Sequence, residues 1–331
     1  MATAEQIKAL LKSYAEGDDE RFYATAIQVA AHAARQGHGR LAQELRTIVD
    51  DAKVRAACTA KRLSPPVPVV QPRGDLAGLL SASYPKTQLV DMVLSDELRR
   101  RLERILQEQR AQHKLSAYGL SARRKILLIG PPGTGKTMSA SALAGELHLP
   151  LFTIVLDGLI TKFMGETAAK LRLIFEAISQ TRGVYLFDEF DALGSERASG
   201  NDVGEIRRVL NSFLQFLEQD QSDSLIVAAT NHPKLLDRAL FRRFDDVIEF
   251  ALPDHEQIRA VFSHRLNLFD TCHVDWLKVV DAAHGLSYGD LTRACEDGAK
   301  EVILTDASEV TTEILERVLA ERCAAHRPQT A

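Results

Sequence analysis

The sequence predicts an α/β fold: a doubly wound parallel sheet with helices on both faces, followed by a small domain made of helices alone. Helical patterns separate short apolar runs that have the length of buried strands, at residues 126–129, 151–156, 184–187, 225–229 and 247–250. Strands and helices that alternate in this way build a parallel sheet. After Pro253 only helical patterns follow, to about Arg322. The C-terminal part is therefore expected to form a separate helical domain.

The composition is that of an ordinary globular protein, with 45% hydrophobic and 26% charged residues among 331. The net charge of -4 gives no general attraction to nucleic acid or to an anionic membrane. No apolar run approaches the length that spans a bilayer, and the N-terminus lacks the apolar core of a signal peptide. The four cysteines are scattered and form no metal-binding pattern. We therefore expect a cytoplasmic protein with reduced thiols and no membrane partner.

The chain before the sheet falls into two parts. Residues 1–60 carry apolar side chains at spacings of three and four, which predicts a domain of three short helices. Because it has no cluster of titratable groups, we expect this domain to recognise a partner. Residues 61–86 are rich in proline and predict an extended linker. The α/β domain then spans 87–252, beginning with a charged amphipathic helix over 87–115, and the helical domain spans 253–331.

A glycine-rich loop follows the first predicted strand. It matches the pattern G-x-x-x-x-G-K-[ST] at Gly130, Gly135, Lys136 and Thr137. Glycines let backbone N–H groups close around a phosphate chain, the lysine reaches the β- and γ-phosphates, and the threonine hydroxyl serves Mg²⁺. A helix that starts near Lys136 adds its positive end. The sequence therefore predicts a bound nucleoside triphosphate, contacted by Pro132, Gly133, Thr134, Gly135, Lys136, Thr137 and Met138.

Two carboxylates end a later strand. Asp188 and Glu189 directly follow the apolar run 184–187. In an enzyme with a phosphate loop, the first carboxylate holds Mg²⁺, directly or through water, and the second polarises the water that attacks the γ-phosphate. We therefore expect Thr137 and Asp188 at the metal, and Glu189 as the catalytic base.

In these motifs the chain resembles the AAA ATPases, a family of the wider AAA+ class, from about Leu89 to Arg322. The motifs that carry the resemblance are the Walker A loop at 130–137, the Walker B motif at 188–193, sensor 1 at 225–231 and the second region of homology at 236–245. The resemblance implies that ATP is the nucleotide and Mg²⁺ its metal. It also implies that Asn231, in sensor 1, positions the attacking water.

The same resemblance implies an arginine finger. In the second region of homology, Arg242 and Arg243 are the candidates to reach across a subunit interface to the neighbour's ATP. A guanidinium supplied there stabilises the charge on the transferring phosphoryl group. Some relatives carry a further arginine where Asp246 stands here, so the finger is expected among the two adjacent arginines. The choice between them stays open.

One further stretch resembles a motif of the family. Lys162, Phe163 and Met164 are similar to the pore loop that lines the central channel of a ring and grips an unfolded polypeptide. A flat aromatic ring contacts many peptide sequences with little selectivity. The resemblance therefore implies that polypeptide is threaded through a pore.

The predicted helical domain carries a motif that two families share. Residues 285–289 match G-x-S-x-G, but a helical pattern precedes them and no suitable Asp and His follow in order, so they are not a hydrolase nucleophile elbow. They resemble instead the sensor-2 region, with Tyr288 and Gly289 in place of the commoner Gly-Ala pair and without a sensor-2 arginine. His264 falls where relatives place a histidine near the nucleotide. The chain has no H-E-x-x-H, so any proteolysis belongs to a partner.

Together these motifs predict an ATP-driven motor that acts as a homo-oligomeric ring, most simply a hexamer, on a protein substrate. Overall resemblance to bacterial single-ring ATPases paired with subtilisin-like serine proteases implies such a protease as a partner. Two alternatives stay open. A nucleic-acid motor or loader has support only from Lys162, and a regulatory ATP-switch scaffold has no need of the water-activating Glu189.

Overall fold

The structure is a computed structural model, which describes residues 72, 74–156, 164–190, 203–235, 238–305 and 309–326. The helical domain predicted at 1–60, most of the predicted linker, and Lys162 and Phe163 of the predicted pore loop lie outside the described residues. Met164, the third pore-loop residue, begins a helix. Within the described ranges, no helix combines the length and the apolar character needed to cross a membrane.

A six-stranded sheet lies at the centre of the described chain. Its strands are β1 (Leu80–Ser83), β2 (Lys125–Ile129), β3 (Leu151–Ile154), β4 (Val184–Phe187), β5 (Leu225–Thr230) and β6 (Asp246–Glu249). They lie in the order β1-β3-β4-β5-β2-β6, and every neighbouring pair is parallel except β1 with β3. Strands β4 and β5 are buried along their whole length, as expected for strands covered on both faces. The predicted α/β fold is confirmed.

Helices cover the sheet, and a second group of helices follows it. The first group comprises α1 (Asp96–Arg110), α2 (Gln112–Ala117), α3 (Lys136–Leu147), α4 (Met164–Gln180), α5 (Val203–Gln219) and α6 (Arg238–Phe241). The second group, which we call the lid, comprises α7 (His255–Arg265), α8 (Trp276–Ala282), α9 (Tyr288–Leu304) and α10 (Thr312–His326). Apolar residues of α1 and α3 share a core with the sheet, whereas the lid has a core of its own.

The strand order brings three loops to one edge of the sheet. Strand β2 lies between β5 and β6, and β4 lies on the other side of β5. Ile129 at the end of β2 pairs with Thr230 at the end of β5, and Phe187 at the end of β4 pairs with Ala228. Because neighbouring parallel strands end at the same edge, the segments that follow β2, β4 and β5 converge there.

Two stretches differ from what the sequence predicts. Leu80–Ser83, which falls in the predicted linker, forms β1, because an extended chain can offer its backbone groups to the open edge of β3. The helix predicted over 87–115 is interrupted by a 3₁₀ turn at Leu89–Asp91 and an extended segment before α1. The Ser95 hydroxyl accepts a hydrogen bond from Leu98 N at 3.3 Å, so it caps α1 and sets its start.

Asp246 fastens helix α1 to the edge strand β6. Its carboxylate forms ion pairs with Arg101 and Arg123, the latter at 3.1 Å from Nη1. Arg101 Nη2 also donates to the Val247 carbonyl at 2.7 Å. Backbone groups on an edge strand are open to pairing with another chain. Arg101 occupies one such group, the Val247 carbonyl. These contacts give Asp246 a structural role.

Candidate nucleotide and catalytic site

The loop between β2 and α3 forms the floor of a cleft. Helix α3 begins at Lys136, and Gly135 precedes it in a left-handed conformation with φ of 98°. No described side chain caps this helix end. Its first N–H groups, together with the helix dipole, therefore favour a bound anion. Thr134 Oγ1 donates to the Pro131 carbonyl at 2.8 Å, which holds the loop in shape.

Lys136 lies inside this loop and is only 6% exposed. Its Nζ donates to the carbonyl of Gly130 at 2.8 Å and to that of Pro131 at 2.7 Å. Hydrogen-bond partners of this kind allow an ammonium group to be buried. The lysine charge is thus held at the loop, where the oxygens of a triphosphate would offer charged and therefore stronger acceptors.

A hydroxyl and a carboxylate meet at the start of α3. Thr137 Oγ1 donates to Asp188 Oδ2 at 2.6 Å, although 51 positions separate the two residues. The sheet brings them together, because both follow strands that end at the same edge. Mg²⁺ prefers oxygen ligands and is held by one or two protein oxygens together with phosphates and water. The Thr137–Asp188 pair therefore fits the metal that the sequence predicts.

Glu189 follows Asp188 in a rare backbone conformation. Its φ is 50°, a left-handed value that residues other than glycine seldom adopt. Glu189 N donates to Asp188 Oδ1 at 2.9 Å. Phe190 is fully buried behind the turn and packs on Phe213, with ring centroids 4.7 Å apart. This packing anchors the turn, while the Glu189 side chain is exposed and lines the cleft, as a general base for an attacking water must.

The strand ends and the lid enclose a cleft of about 590 Å³, a volume within the range of small-molecule sites. Most of the predicted site residues line it, namely Pro132, Gly133, Gly135, Lys136, Thr137, Met138, Asp188, Glu189 and Asn231. Asn231 reaches it because it is the first residue after β5. The arrangement places an ammonium group, a hydroxyl, two carboxylates and an amide around one space, a combination that suits phosphoryl transfer to water.

The lid touches the phosphate loop directly. Gly289 N donates to the Gly133 carbonyl at 3.0 Å. Gly133 has φ of 74°, and a Cβ built on it would lie 2.3 Å from Ser287 Oγ. Ser287 is the N-cap of α9, where its hydroxyl accepts from Asp290 N at 3.3 Å. The N-terminus of α9 therefore packs on the loop with no room for a side chain between them.

A narrow recess opens beside the cleft, and it contains His264. Its walls are largely apolar and come from Met92, Val93, Met138 and Val261, with Tyr288 at the lid side. His264 is exposed and also lines this recess. The structure thus places the predicted histidine beside the phosphate loop, together with Thr134, which lines the same recess.

The two predicted finger arginines lie away from the cleft of their own chain. Arg242 is exposed and Arg243 is partly buried, and neither lines the cleft. Arg243 forms an ion pair with Glu218 of α5. Arg242 makes no ion pair with any residue in the part of the chain that the structure describes.

Apart from the stretch 285–289, which resembles the sensor-2 region, the sequence did not point to the lid residues of the cleft. Beyond Gly289, the lid contributes Arg265, Tyr288, Thr292, Arg293 and Glu296. A helical spacing would have found one of the two basic residues: Arg293 lies one turn beyond Gly289 and so shares its helix face. The exposed guanidinium of Arg293 adds positive charge to a cleft that already contains Lys136.

A parallel sheet with a phosphate loop, a carboxylate pair after a nearby strand and a helical lid defines a P-loop nucleoside triphosphatase. Residues 126–252 match the family model described as ATPase family associated with various cellular activities (AAA). The chain is also 34% identical over 321 residues to an uncharacterized AAA family ATPase, y4kL, of Sinorhizobium fredii, a match that covers 97% of this chain and 96% of the relative. The chain belongs to the AAA family, and it is an ATPase.

Other relatives are longer or more distant. The ATP-dependent zinc metalloprotease FtsH 4 of Sphaerobacter thermophilus is 32% identical over 231 residues, which cover 67% of this chain but 35% of that protein. The chain therefore aligns with only about a third of such metalloproteases. The crystal structure of the FIGL-1 AAA domain aligns with a TM-score of 0.59 at 24% identity, covering 76% of this chain and 87% of that one. This last likeness shows the fold alone.

Proposed function

We propose that the chain is a protein-remodelling motor that works as a homo-oligomeric ring, with its ATP sites shared between subunits. The observation that carries the proposal is the position of the two predicted finger arginines outside the cleft of their own chain. Lys136, Thr137, Asp188, Glu189 and Asn231 line it, whereas Arg242 and Arg243 do not. Their position outside the cleft of their own chain supports a role at the cleft of a neighbour, and a ring in which each subunit serves the next closes by rotational symmetry.

We assign each residue of this proposed site one role, and the geometry of the cleft supports the assignment. Lys136 would bind the β- and γ-phosphates, and Thr137 and Asp188 would hold Mg²⁺, which would supply positive charge to neutralise the phosphate oxygens. Glu189 accepts a proton from the attacking water, and Asn231 orients that water. An arginine of the next subunit stabilises the charge that develops on the transferring group. His264 contacts the nucleotide from the recess.

The proposed substrate is a polypeptide threaded through the ring. This part of the proposal rests on the resemblance of Lys162, Phe163 and Met164 to a pore loop, and on relatives described as ATP-dependent zinc metalloproteases. Because this chain has no H-E-x-x-H of its own, a protease would have to be a separate partner. A subtilisin-like serine protease remains our specific proposal for it. Phe163→Ala is expected to spare basal ATP hydrolysis and to stop substrate processing.

Mixing of inactive variants tests the shared site. Lys136→Ala leaves the arginines intact, and Arg242→Ala or Arg243→Ala leaves the chain's own cleft intact. In a random one-to-one mixture, about a quarter of the interfaces then combine an intact cleft with an intact arginine, so about a quarter of the activity should return. The matched control mixes Lys136→Ala with Glu189→Gln, both within one cleft, and should give no recovery. If neither arginine variant is rescued, the sites are not shared in this way.

A further inference from the structure

Two histidines of the lid lie side by side at its surface, outside the nucleotide cleft. His255 is the first residue of α7, and His284 lies in the turn between α8 and α9. Their ring centroids are 5.7 Å apart, and the ring planes form an angle of 80°. Both side chains are exposed, and neither lines the cleft or the apolar recess beside it. The fold of the lid therefore brings together two imidazoles that lie far apart in the sequence, and it leaves both open to solvent.

Hydrogen bonds fix the backbone that carries each histidine. His255 directly follows Asp254, which forms a capping box with Gln257 at the start of α7. In this box Asp254 Oδ1 accepts a hydrogen bond from Gln257 N at 2.8 Å. On the other segment, His284 N donates to the Asp281 carbonyl at 3.3 Å. Side chains on well-fixed segments lose little freedom when they bind, so the two rings are suited to hold one ligand between them.

The distance between the two rings is close to that in a metal site. Imidazole is the commonest metal ligand in proteins, and it suits Zn²⁺, Cu²⁺ and Ni²⁺. In a tetrahedral zinc site each ring nitrogen lies about 2.0 Å from the metal, which places the centroids of two imidazole ligands about 5 Å apart. The observed distance of 5.7 Å is slightly longer, and a small rotation of the exposed side chains closes the difference. Asp254 and Glu256, the neighbours of His255 in the chain, add negative charge that favours a cation.

We propose that His255 and His284 form a two-histidine site for a divalent transition-metal ion, with Zn²⁺ as the most suitable probe. In the part of the chain that the structure describes, no three His, Cys, Asp or Glu side chains form a group that could hold a metal ion, so water would complete the coordination. The ion would link the start of α7 to the turn before Ser287, whose side chain lies against Gly133 of the phosphate loop. Its main effect would be to stabilise the lid. This site is separate from the predicted Mg²⁺ site, and it does not depend on the proposed ring.

Titration calorimetry of Zn²⁺ into the full chain, with Mg²⁺ in excess, tests this site. Mg²⁺ fills oxygen sites and does not compete for imidazole. His255→Asn and His284→Asn should each weaken Zn²⁺ binding at least about tenfold, because even the loss of an outer-shell partner of a metal ligand costs about 10- to 100-fold. Removal of both histidines should weaken binding little further, because one histidine alone no longer chelates the ion.

Two other histidines serve as matched controls. His113→Asn removes an exposed histidine of α2, and His273→Asn removes the lid histidine whose Nδ1 lies 2.8 Å from Glu309 Oε2. Both controls should bind Zn²⁺ like the unsubstituted chain. Equal binding by the pair variants and the controls would mean an adventitious ion only, and a loss confined to His273→Asn would mean that the metal binds beside Glu309. Either result, or no Zn²⁺ binding by the unsubstituted chain, overturns the proposal.

Thermal unfolding gives a second readout of the same site. Without added metal, all variants should unfold at about the same temperature, since the substituted side chains are exposed. Saturating Zn²⁺ should raise the midpoint of the unsubstituted chain and of the controls, because a ligand that binds only the folded state stabilises it. The midpoints of His255→Asn and His284→Asn should rise much less, and an equal rise would contradict the proposal. These measurements do not involve ATP turnover, so they leave the assignment of Glu189 untouched.

Discussion

The contact between lid and phosphate loop makes Gly133 sensitive to the smallest possible enlargement. Gly133→Ala adds one Cβ, which would lie 2.3 Å from Ser287 Oγ and 2.9 Å from Ser287 Cβ. The backbone at this glycine also has φ of 74°, a conformation that an L-residue seldom adopts. The substitution therefore strains the loop twice, once through its own backbone and once through the lid.

The two strains have separate magnitudes. A left-handed backbone costs an alanine about 1–2 kcal/mol, and one extra carbon in a filled space costs about 1–3 kcal/mol. If the whole strain of about 2–5 kcal/mol opposes the binding-competent loop, the Kd for MgATP rises about 30- to 5,000-fold. Ser287→Gly removes both atoms that the new Cβ meets. As an N-cap, glycine is only a few tenths of a kcal/mol worse than serine.

Titration of MgATP into four variants separates the backbone strain at position 133 from the clash with Ser287. In Gly133→Ala combined with Ser287→Gly only the backbone strain remains, so affinity should recover to about 5- to 30-fold below that of the unsubstituted chain. Ser287→Gly alone should bind nearly normally. Gly289→Ala is the matched control on the lid side: its Cβ would lie 3.5 Å from Gly133 Cα, an ordinary contact, and its N–H remains. Normal binding by Gly133→Ala, or no recovery in the double variant, would refute a lid packed against the loop.

Two further predictions concern charges that the structure places. Arg293→Ala removes an exposed cation from the cleft and should raise the KM for ATP about 2- to 5-fold, the scale of an exposed charge interaction. Arg293→Lys keeps the charge and should bring the KM most of the way back to that of the unsubstituted chain. Lys300→Ala, on the same helix, should leave the KM unchanged. Asp246→Ala leaves two arginines of the α1–β6 contact without their carboxylate. We expect a loss of about 1–3 kcal/mol, between the values for exposed and buried pairs. Thermal unfolding should then shift down by about 3 to 10 °C, and an unchanged midpoint would show that the ion pairs do not stabilise the fold.

The sheet and its loop could be predicted because their chemistry is local in sequence. A phosphate loop needs glycines, a lysine and a threonine at fixed spacing, and the carboxylates must directly follow a buried strand. The start of α1 was also marked locally, by Ser95 followed by acidic residues. The charged amphipathic pattern, however, begins before Ser95, so the predicted helix started too early and the N-cap was missed. Residues 80–83 show a strand that depends on a partner: their sequence is compatible with a linker, and only the open edge of β3 makes them a strand.

The lid side of the site could not be predicted in the same way. Gly133 and Ser287 lie far apart along the chain, and only the fold shows that no side chain fits between them. The same holds for Asp246, whose two arginine partners come from α1 and the segment before β2. The positions of Arg242 and Arg243 follow from the fold, but their action on a neighbour stays a prediction, as does the role of the pore loop.

The most direct test of the proposed site is the ATP turnover of Glu189→Gln, measured beside its affinity for MgATP. Glutamine keeps the size of the side chain and removes the base that accepts a proton from water. We predict that MgATP binds about as tightly as to the unsubstituted chain, since Lys136, Thr137 and Asp188 are untouched, and that turnover falls at least about 100-fold. The control Glu256→Gln changes an exposed carboxylate of α7 outside the cleft and should turn over normally. Turnover by Glu189→Gln that equals the control would contradict the assignment of the catalytic base, and with it the proposed mechanism.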